Sequence, residues 1–189
     1  YGRACEYTHR VLPLPQGVGV PEIVEMLGLA RGESVILDSS SSKNGDALAV
    51  SSIVALEVET ALRLEHSVSD NHVTVRLPGT AGGEDQIERV DLEDGTVNVW
   101  EIISDFWEAR SHPPNSDKSS SAFKGGFMGF ITYEMGLYGL EKKLVSGDRG
   151  HKRPDICLVW VTKSIVLDHR AGVAYIQHLK TRGSDDTWL

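Results

Sequence analysis

The sequence predicts an α+β fold built mainly from antiparallel β-sheets in a sandwich-like arrangement, with a few flanking helices. Short segments that alternate apolar and polar residues, such as 72–77 and 87–92, are typical of strands with one wet face. Amphipathic helix spacing is clear only over residues 21–27 and 99–110. Because strands outnumber strand–helix–strand patterns, antiparallel sheets are favoured over a doubly wound fold.

The N-terminal elements are predicted from the prolines and serines at which they begin or end. Residues 8–15 are extended and belong at a sheet edge, because Pro13 and Pro15 have no amide hydrogen to give to a central ladder. Pro21 then opens a short helix. Residues 33–39 predict a buried strand that gives way to a loop at Asp38 and a run of serines.

The remaining elements follow the same rules. Asn98 and Glu101 form a variant of the capping box at the start of the helix over residues 99–110. Residues 111–122 hold little to bury and predict an exposed connection. The further strands are predicted at 51–58, 61–65, 154–161 and, joined by a turn at Asp168 to Gly172, within 164–176.

A glycine-rich apolar segment, residues 123–140, predicts a crowded central strand that leaves in a tight turn. Glycine inside a strand gives up side-chain packing, so its repeated use indicates a close approach by another backbone, a side chain or a ligand. Purely structural packing explains the same pattern. The spacing G-G-x-x-G differs from the G-x-G-x-x-G of dinucleotide sites, and no Walker Lys-Ser/Thr follows.

Composition excludes several classes of function. The 189 residues fit one domain, and a net charge of -8 gives no support to nucleic-acid binding. The two cysteines are far apart in sequence, so no disulfide framework or zinc knuckle is predicted and a reducing cytoplasm is expected. No apolar run is long enough for a membrane span, and no signal peptide is recognisable.

The sequence contains no complete catalytic or metal motif. Seven histidines are scattered without HExxH spacing, and no G-x-S-x-G elbow is present. We therefore assign no catalytic residue and no metal ligand. Asp38 is the strongest binding candidate, because a carboxylate at a strand end can meet the ammonium group of a ligand. An Asx turn with Ser40 explains the same residue equally well.

An ordered series of motifs resembles the N-terminal domain of chorismate-utilising synthases. It comprises F-K-G-G-F-M-G-F-I-T-Y-E over 123–134, R-P-D over 153–155, I-V-L-D-H over 165–169 and E-S-V-I-L-D-S over 33–39. The segment H-R-V-L-P-L-P over 9–15 resembles the aminodeoxychorismate branch. The resemblance covers nearly the whole chain, so residues 1–189 are expected to form one N-terminal domain.

The resemblance implies a specific reaction for the complete enzyme. Members take chorismate and ammonia, which a glutamine amidotransferase domain or subunit delivers, and make 4-amino-4-deoxychorismate for p-aminobenzoate and folate, or anthranilate. The catalytic groups and the Mg²⁺ ligands of the family lie in a C-terminal chorismate-binding domain, which we expect to be absent from these residues. No cofactor is therefore expected in this chain, and we expect it to be inactive alone.

The resemblance also implies a pocket for an indole amino acid such as L-tryptophan. By position, Leu37, Asp38 and Ser39 would line one wall, with Met128 and Gly129 nearby. Asp38 stands where tryptophan-sensitive anthranilate synthases usually carry glutamate, and residues 49–52, A-V-S-S, replace their R-[YF]-S-[IL]. Both departures favour the aminodeoxychorismate branch. The alternatives are a tryptophan-sensing domain of anthranilate synthase component I and a non-enzymatic β module that binds a small ligand.

Overall fold

The structure is a computed structural model that describes residues 5–39, 50–79, 83–92, 98–110, 121–138, 153–181 and 188–189. The chain divides into two compact units. The first unit comprises Tyr1–Glu59, Ala109–Gly126 and Val161–Leu189, and the second comprises Thr60–Glu108 and Phe127–Trp160. Each unit is built around one five-stranded sheet. Whether residues 1–189 act as a single N-terminal domain stays a prediction.

The sheet of the first unit, called the first sheet, combines strands from both ends of the chain. Its order is β1-β10-β9-β3-β2, and all four neighbouring pairs are antiparallel. The strands are β1 (Cys5–Pro13), β2 (Ile36–Leu37), β3 (Ser51–Leu56), β9 (Lys163–Asp168) and β10 (Val173–Thr181). The prolyl segment β1 lies at an edge, as predicted, where Pro13 breaks no interior ladder.

One face of the first sheet is covered by α1 (Val20–Met26). The buried cluster there consists of Val20, Ile23, Val54, Leu167 and Ala174. Pro21 at the start of α1 loses no hydrogen bond, because the first amides of a helix have no partner within it. A helix of seven residues is marginal alone, so packing of its two buried side chains against the sheet is what stabilises it.

The sheet of the second unit, called the second sheet, has the order β6-β5-β4-β8-β7. Its strands are β4 (Arg63–His66), β5 (His72–Leu77), β6 (Gln86–Asp91), β7 (Gly126–Ile131) and β8 (Ile156–Val161), and its helices are α2 (Val99–Arg110) and α3 (Tyr133–Tyr138). The core of the second unit consists of Leu64, Val73, Val75, Val99, Ile102, Met135 and Ile156. Alternate residues of β4 and β5 supply three of these side chains, Leu64, Val73 and Val75, as the period of two requires.

The capping box predicted for α2 is confirmed. The Asn98 side chain accepts hydrogen bonds from the amides of Trp100 and Glu101, and the Glu101 carboxylate accepts one from the Asn98 amide. These bonds satisfy amides that an uncapped helix would leave without partners, which stabilises it by about 1 kcal/mol. The α+β class, the antiparallel sheets and both amphipathic helices are therefore as the sequence predicts.

Two strand predictions were wrong. Residues 33–39 were expected to form a buried strand, but β2 is two residues long, lies at the edge of the first sheet and leaves Leu37 53% exposed. The glycine-rich strand was expected to be central, but β7 lies at one edge of the second sheet, as far as the described residues define it. In both cases local hydrophobicity was high, and the order of strands in a sheet depends on distant pairing that local composition does not encode.

Some predictions concern residues outside the described ranges. These are the serines after Ser39, the exposed connection except for its last two residues, and the continuation of the glycine-rich segment beyond Tyr138. Among the described residues, no helix has the length and apolar character needed to cross a membrane.

Candidate functional site

The ends of two strands of the first sheet, β2 and β9, meet the start of β3. Leu37 of β2 pairs with Ile53 of β3, and Asp168 at the end of β9 pairs with Ser51. The residues that follow β2 and β9 in sequence therefore flank Ser52 on either side. This register brings the predicted Asp38 strand end close to the I-V-L-D-H block.

Ser52 is the centre of the resulting cluster. Its hydroxyl donates to Oδ1 of Asp38 at 3.0 Å and lies 2.7 Å from Nε2 of His169. The amide of Ser39 donates to the hydroxyl oxygen of Ser52 at 2.9 Å. Ser52 is fully buried. We call Asp38, Ser39, Ser52 and His169 the strand-end cluster.

Hydrogen bonds of main-chain amides fix the backbone on both sides of the His169 side chain. The His169 amide donates to the Val50 carbonyl at 2.9 Å, which continues the ladder beyond the last pair of β3 and β9. The Asp168 carboxylate accepts the amides of Arg170 and Ala171, and Gly172 takes a positive φ of 65°. Aspartate followed by glycine fixes a tight turn of this kind. The predicted turn from Asp168 to Gly172 is confirmed. It places His169 directly after the end of β9.

Hydrogen-bond chemistry fixes the donors within the cluster. A serine hydroxyl has one hydrogen and two acceptor sites, and a carboxylate at neutral pH accepts only. Ser52 gives its hydrogen to Asp38, and it accepts from the Ser39 amide. The remaining contact is satisfied when Nε2 of His169 carries a hydrogen and donates it to Ser52. All three contacts of the hydroxyl are then hydrogen bonds.

The cluster is unsuited to nucleophilic catalysis, although it contains serine, histidine and aspartate. In a catalytic triad the histidine lies between the other two and accepts the serine proton. Here the serine lies between aspartate and histidine, donates to the carboxylate and is inaccessible to a substrate. The arrangement instead holds a carboxylate in a defined direction, which suits the binding of a cation such as an ammonium group.

Leu37 and Asp38 point to opposite faces of the first sheet. Ile53, the cross-strand partner of Leu37, and Ser52, the hydrogen-bond partner of Asp38, are consecutive residues of β3. Consecutive strand residues face opposite sides. Leu37 therefore offers an exposed apolar side chain on one face, whereas the carboxylate is held on the other face at the end of the strand.

The other two predicted site residues, Met128 and Gly129, belong to the second unit. Met128 is 6% exposed. Gly129 has a φ of 155°, and a β-carbon added to it would collide with the main-chain carbonyl of Cys157 on β8. The close approach that the glycine spacing predicted is present, and the neighbour is a backbone. That Met128 and Gly129 line a ligand site stays a prediction.

The R-P-D block also contains a buried carboxylate, Asp155, which is 1% exposed. It accepts the amide of Val68 at 2.9 Å and the hydroxyl of Thr132 at 2.8 Å, and its own amide donates to the His66 carbonyl. Those partners lie at the ends of β4 and β7. Through these bonds Asp155 fastens strand ends of the second sheet.

Ser52 was missed as a site residue in the sequence. In the sequence, Ser52 is part of A-V-S-S and His169 is part of I-V-L-D-H, and neither pattern by itself marks a binding residue. One signal was available: a serine at the start of an apolar strand, opposite a strand that ends in an acid. It identifies Ser52 only once β2 and β9 are known to flank β3.

The described residues contain no group of three or more His, Cys, Asp or Glu side chains arranged to hold a metal ion. A scan against protein-family models finds no match for the chain.

Proposed function

We propose that this chain is the N-terminal domain of an aminodeoxychorismate synthase, which converts chorismate and glutamine-derived ammonia to 4-amino-4-deoxychorismate in the cytoplasm. One observation carries the proposal. Two blocks of the ordered motif series, which lie more than a hundred residues apart in sequence, meet through Ser52 at the Asp38 carboxylate. The pairing of β2 and β9 with β3 brings these blocks together, as residues that serve one site require, whereas the identity of the blocks comes from the sequence resemblance.

In this proposal the strand-end cluster holds the ammonium group of an indole amino acid such as L-tryptophan. A carboxylate fixed by a hydrogen bond binds an ammonium group through charge-assisted hydrogen bonds, which contribute about 1.5–3 kcal/mol each.

The reaction itself is assigned to other parts of the enzyme. The proposed partners are a C-terminal chorismate-binding domain, with its Mg²⁺ ligands and its acid and base groups, and a glutamine amidotransferase domain or subunit. The described residues supply a scaffold and a ligand site. The protein containing only residues 1–189 is therefore expected to be inactive with chorismate, Mg²⁺ and ammonium.

The reaction is tested with the native protein that contains these residues. It is incubated with chorismate, Mg²⁺ and ammonium, and products are separated by chromatography. We expect 4-amino-4-deoxychorismate from the native protein and no product from residues 1–189 alone. Anthranilate, recognised by its fluorescence, would assign the anthranilate synthase branch instead. Absence of both products from the native protein, or turnover by residues 1–189, would overturn the proposal.

The ligand site is tested by calorimetric titration with L-tryptophan. Asp38→Ala is expected to weaken binding at least about tenfold, because it removes the anionic partner of the ammonium group. Asp70→Ala is a matched control, since Asp70 is exposed and also accepts a serine hydroxyl, that of Ser69 at 3.3 Å. Equal affinity in the Asp38→Ala and wild-type proteins would exclude Asp38 from the site. Tryptophan binding without turnover by the native protein would favour a ligand-binding β module.

A further inference from the structure

We propose that Ser52 and His169 are positioning residues that hold the Asp38 carboxylate so that the site selects ligands carrying an ammonium group. This inference rests on the ligand site proposed above and deepens it. Neither residue is required to touch the ligand. Their role is to fix the direction of the group that does.

The first step of the argument is the way in which the Ser52 hydroxyl is oriented. A free serine hydroxyl rotates about its C–O bond, but here two donors approach the oxygen when Nε2 of His169 carries a hydrogen. The Ser39 amide is fixed by the backbone at 2.9 Å, and Nε2 of His169 lies at 2.7 Å. With both acceptor sites of the oxygen used, the hydroxyl hydrogen is left to point at Oδ1 of Asp38, 3.0 Å away. His169 therefore sets the direction of the hydrogen that binds the carboxylate.

The second step is rigidity. Ser52 is fully buried within β3, which is paired on both sides by β2 and β9. His169 is fixed through its amide and through the Asp168 turn. A ligand that binds a carboxylate already held in one rotamer avoids the entropy cost of ordering that side chain, about 0.5–1.5 kcal/mol for a side chain immobilised on binding.

The third step is selectivity. A carboxylate held in one direction binds a ligand with an ammonium group more tightly than one that lacks it, because only the former makes charge-assisted hydrogen bonds to Asp38. The effect should be specific to the ammonium group and absent from contacts with the indole ring. Three ligands separate these contributions: L-tryptophan, tryptamine, which keeps the ammonium group, and indole-3-propionate, which lacks it.

The test uses variants that remove or keep each hydrogen bond. Ser52→Ala and His169→Leu are expected to weaken L-tryptophan and tryptamine about tenfold and to leave indole-3-propionate unchanged. His169→Gln keeps a side-chain N–H donor and is expected to restore most of the affinity. Ser69→Ala, which removes an exposed serine–aspartate hydrogen bond in the second unit, is the matched control and is expected to bind all three ligands like the wild type. An equal loss for all three ligands would indicate a purely structural role and overturn the inference.

A second measurement needs no ligand and no variant. Nitrogen NMR of the histidine side chains in the wild-type protein is expected to find His169 with its hydrogen on Nε2, coupled to Ser52 through a hydrogen bond. A neutral His169 with its hydrogen on Nδ1 would overturn the inference even if tryptophan binds. Failure of the wild-type protein to bind any of the three ligands would instead overturn the proposed ligand site, so the two failures are distinguishable.

Discussion

The two halves of the glycine-rich segment are fastened by different kinds of contact. In the first unit, residues 121–125 are held by side-chain hydrogen bonds around the buried Gln177 of β10. In the second unit, β7 is held by the contact of Gly129 with a main-chain carbonyl and by the bonds of Thr132 to Asp155. The comparison therefore sets a network of side-chain hydrogen bonds against a close contact with the main chain.

Gln177 uses its full hydrogen-bonding capacity. Its carbonyl oxygen accepts from Tyr7 at 2.8 Å and lies 3.0 Å from the Ser121 hydroxyl, and its amide nitrogen donates to Ser164 and to the Phe123 carbonyl. The bonds join Gln177 to different partners, so substitution of one partner leaves the other bonds of Gln177 in place. We therefore expect the loss in the free energy of unfolding to grow with the number of these bonds that a substitution removes.

At Gly129, in contrast, we expect any substitution to have a large effect on stability. Its positive φ disfavours any residue with a β-carbon, and the Cys157 carbonyl already occupies the space which that carbon would need. A backbone atom of a paired strand cannot rotate away as a side chain can. The comparison teaches that, in this segment, a glycine against a backbone tolerates substitution less well than a saturated polar network does.

The largest effect is expected from Gly129→Ala. Strain at positive φ and the collision with the Cys157 carbonyl should together lower the free energy of unfolding by about 4 kcal/mol. Urea denaturation followed by fluorescence measures the change. Gly136→Ala is the control, because Gly136 lies within α3 with open space at the β-carbon position, and alanine should be neutral or stabilise by about 0.5–1 kcal/mol there. Equal effects of the two substitutions would break the comparison.

Asp155→Ala should come next, with a loss of about 3 kcal/mol in the free energy of unfolding. The substitution leaves the Val68 amide and the Thr132 hydroxyl without their acceptor in a buried place, and each unsatisfied group costs about 1–3 kcal/mol. Thermal or urea unfolding measures it, with Asp70→Ala as the exposed control. A loss below about 1 kcal/mol would show that Asp155 does not fasten the strand ends of the second sheet.

Gln177→Leu should cost about 2–3 kcal/mol, since leucine fills much of the space but leaves several polar groups without partners. Tyr7→Phe removes one bond of the same network and should cost about 1 kcal/mol. Urea denaturation of both variants measures the two losses in the free energy of unfolding. Equal losses in the two variants would mean that the network acts through the Tyr7 bond alone.

The smallest effect concerns pH. Burial raises the pKa of the Cys5 thiol in the first unit, and the Arg110 guanidinium partly opposes that rise. The thiol therefore stays protonated in the folded state at a pH where an unfolded cysteine, with a pKa of about 8.5, ionises. The unfolded state then binds fewer protons, so this contribution to stability is complete below about pH 8.5 and is lost as pH rises toward the folded-state pKa.

Urea denaturation between about pH 8 and 10 tests this expectation. Wild-type stability should fall more steeply than that of Cys5→Ala, by at most about 1.4 kcal/mol per pH unit for one proton. Parallel pH profiles for the two proteins would mean that Cys5 titrates alike in the folded and unfolded states.

Local sequence was sufficient to predict the elements whose stabilising contacts all lie within a short stretch of chain. The helix over residues 99–110 was predicted with its exact bounds, because its cap, its first-turn acid and its apolar stripe all lie within thirteen residues of chain. The turn after Asp168 follows from a side chain that binds amides two and three residues ahead. Glycine spacing likewise predicted a close approach at Gly129, though it could not say that the neighbour is a carbonyl.

The sequence by itself determined the α+β class, the period of the strands and the presence of an acid at the end of a strand. Only the tertiary structure decided that β2 and β7 are edge strands, that Leu37 and Asp38 face opposite ways, and that Ser52 stands between Asp38 and His169. The physical reason is that strand order and register arise from pairing between separate segments, from Leu37 with Ile53 to the far more distant Ser52 with Leu167, and a change of one residue in register turns every side chain to the other face.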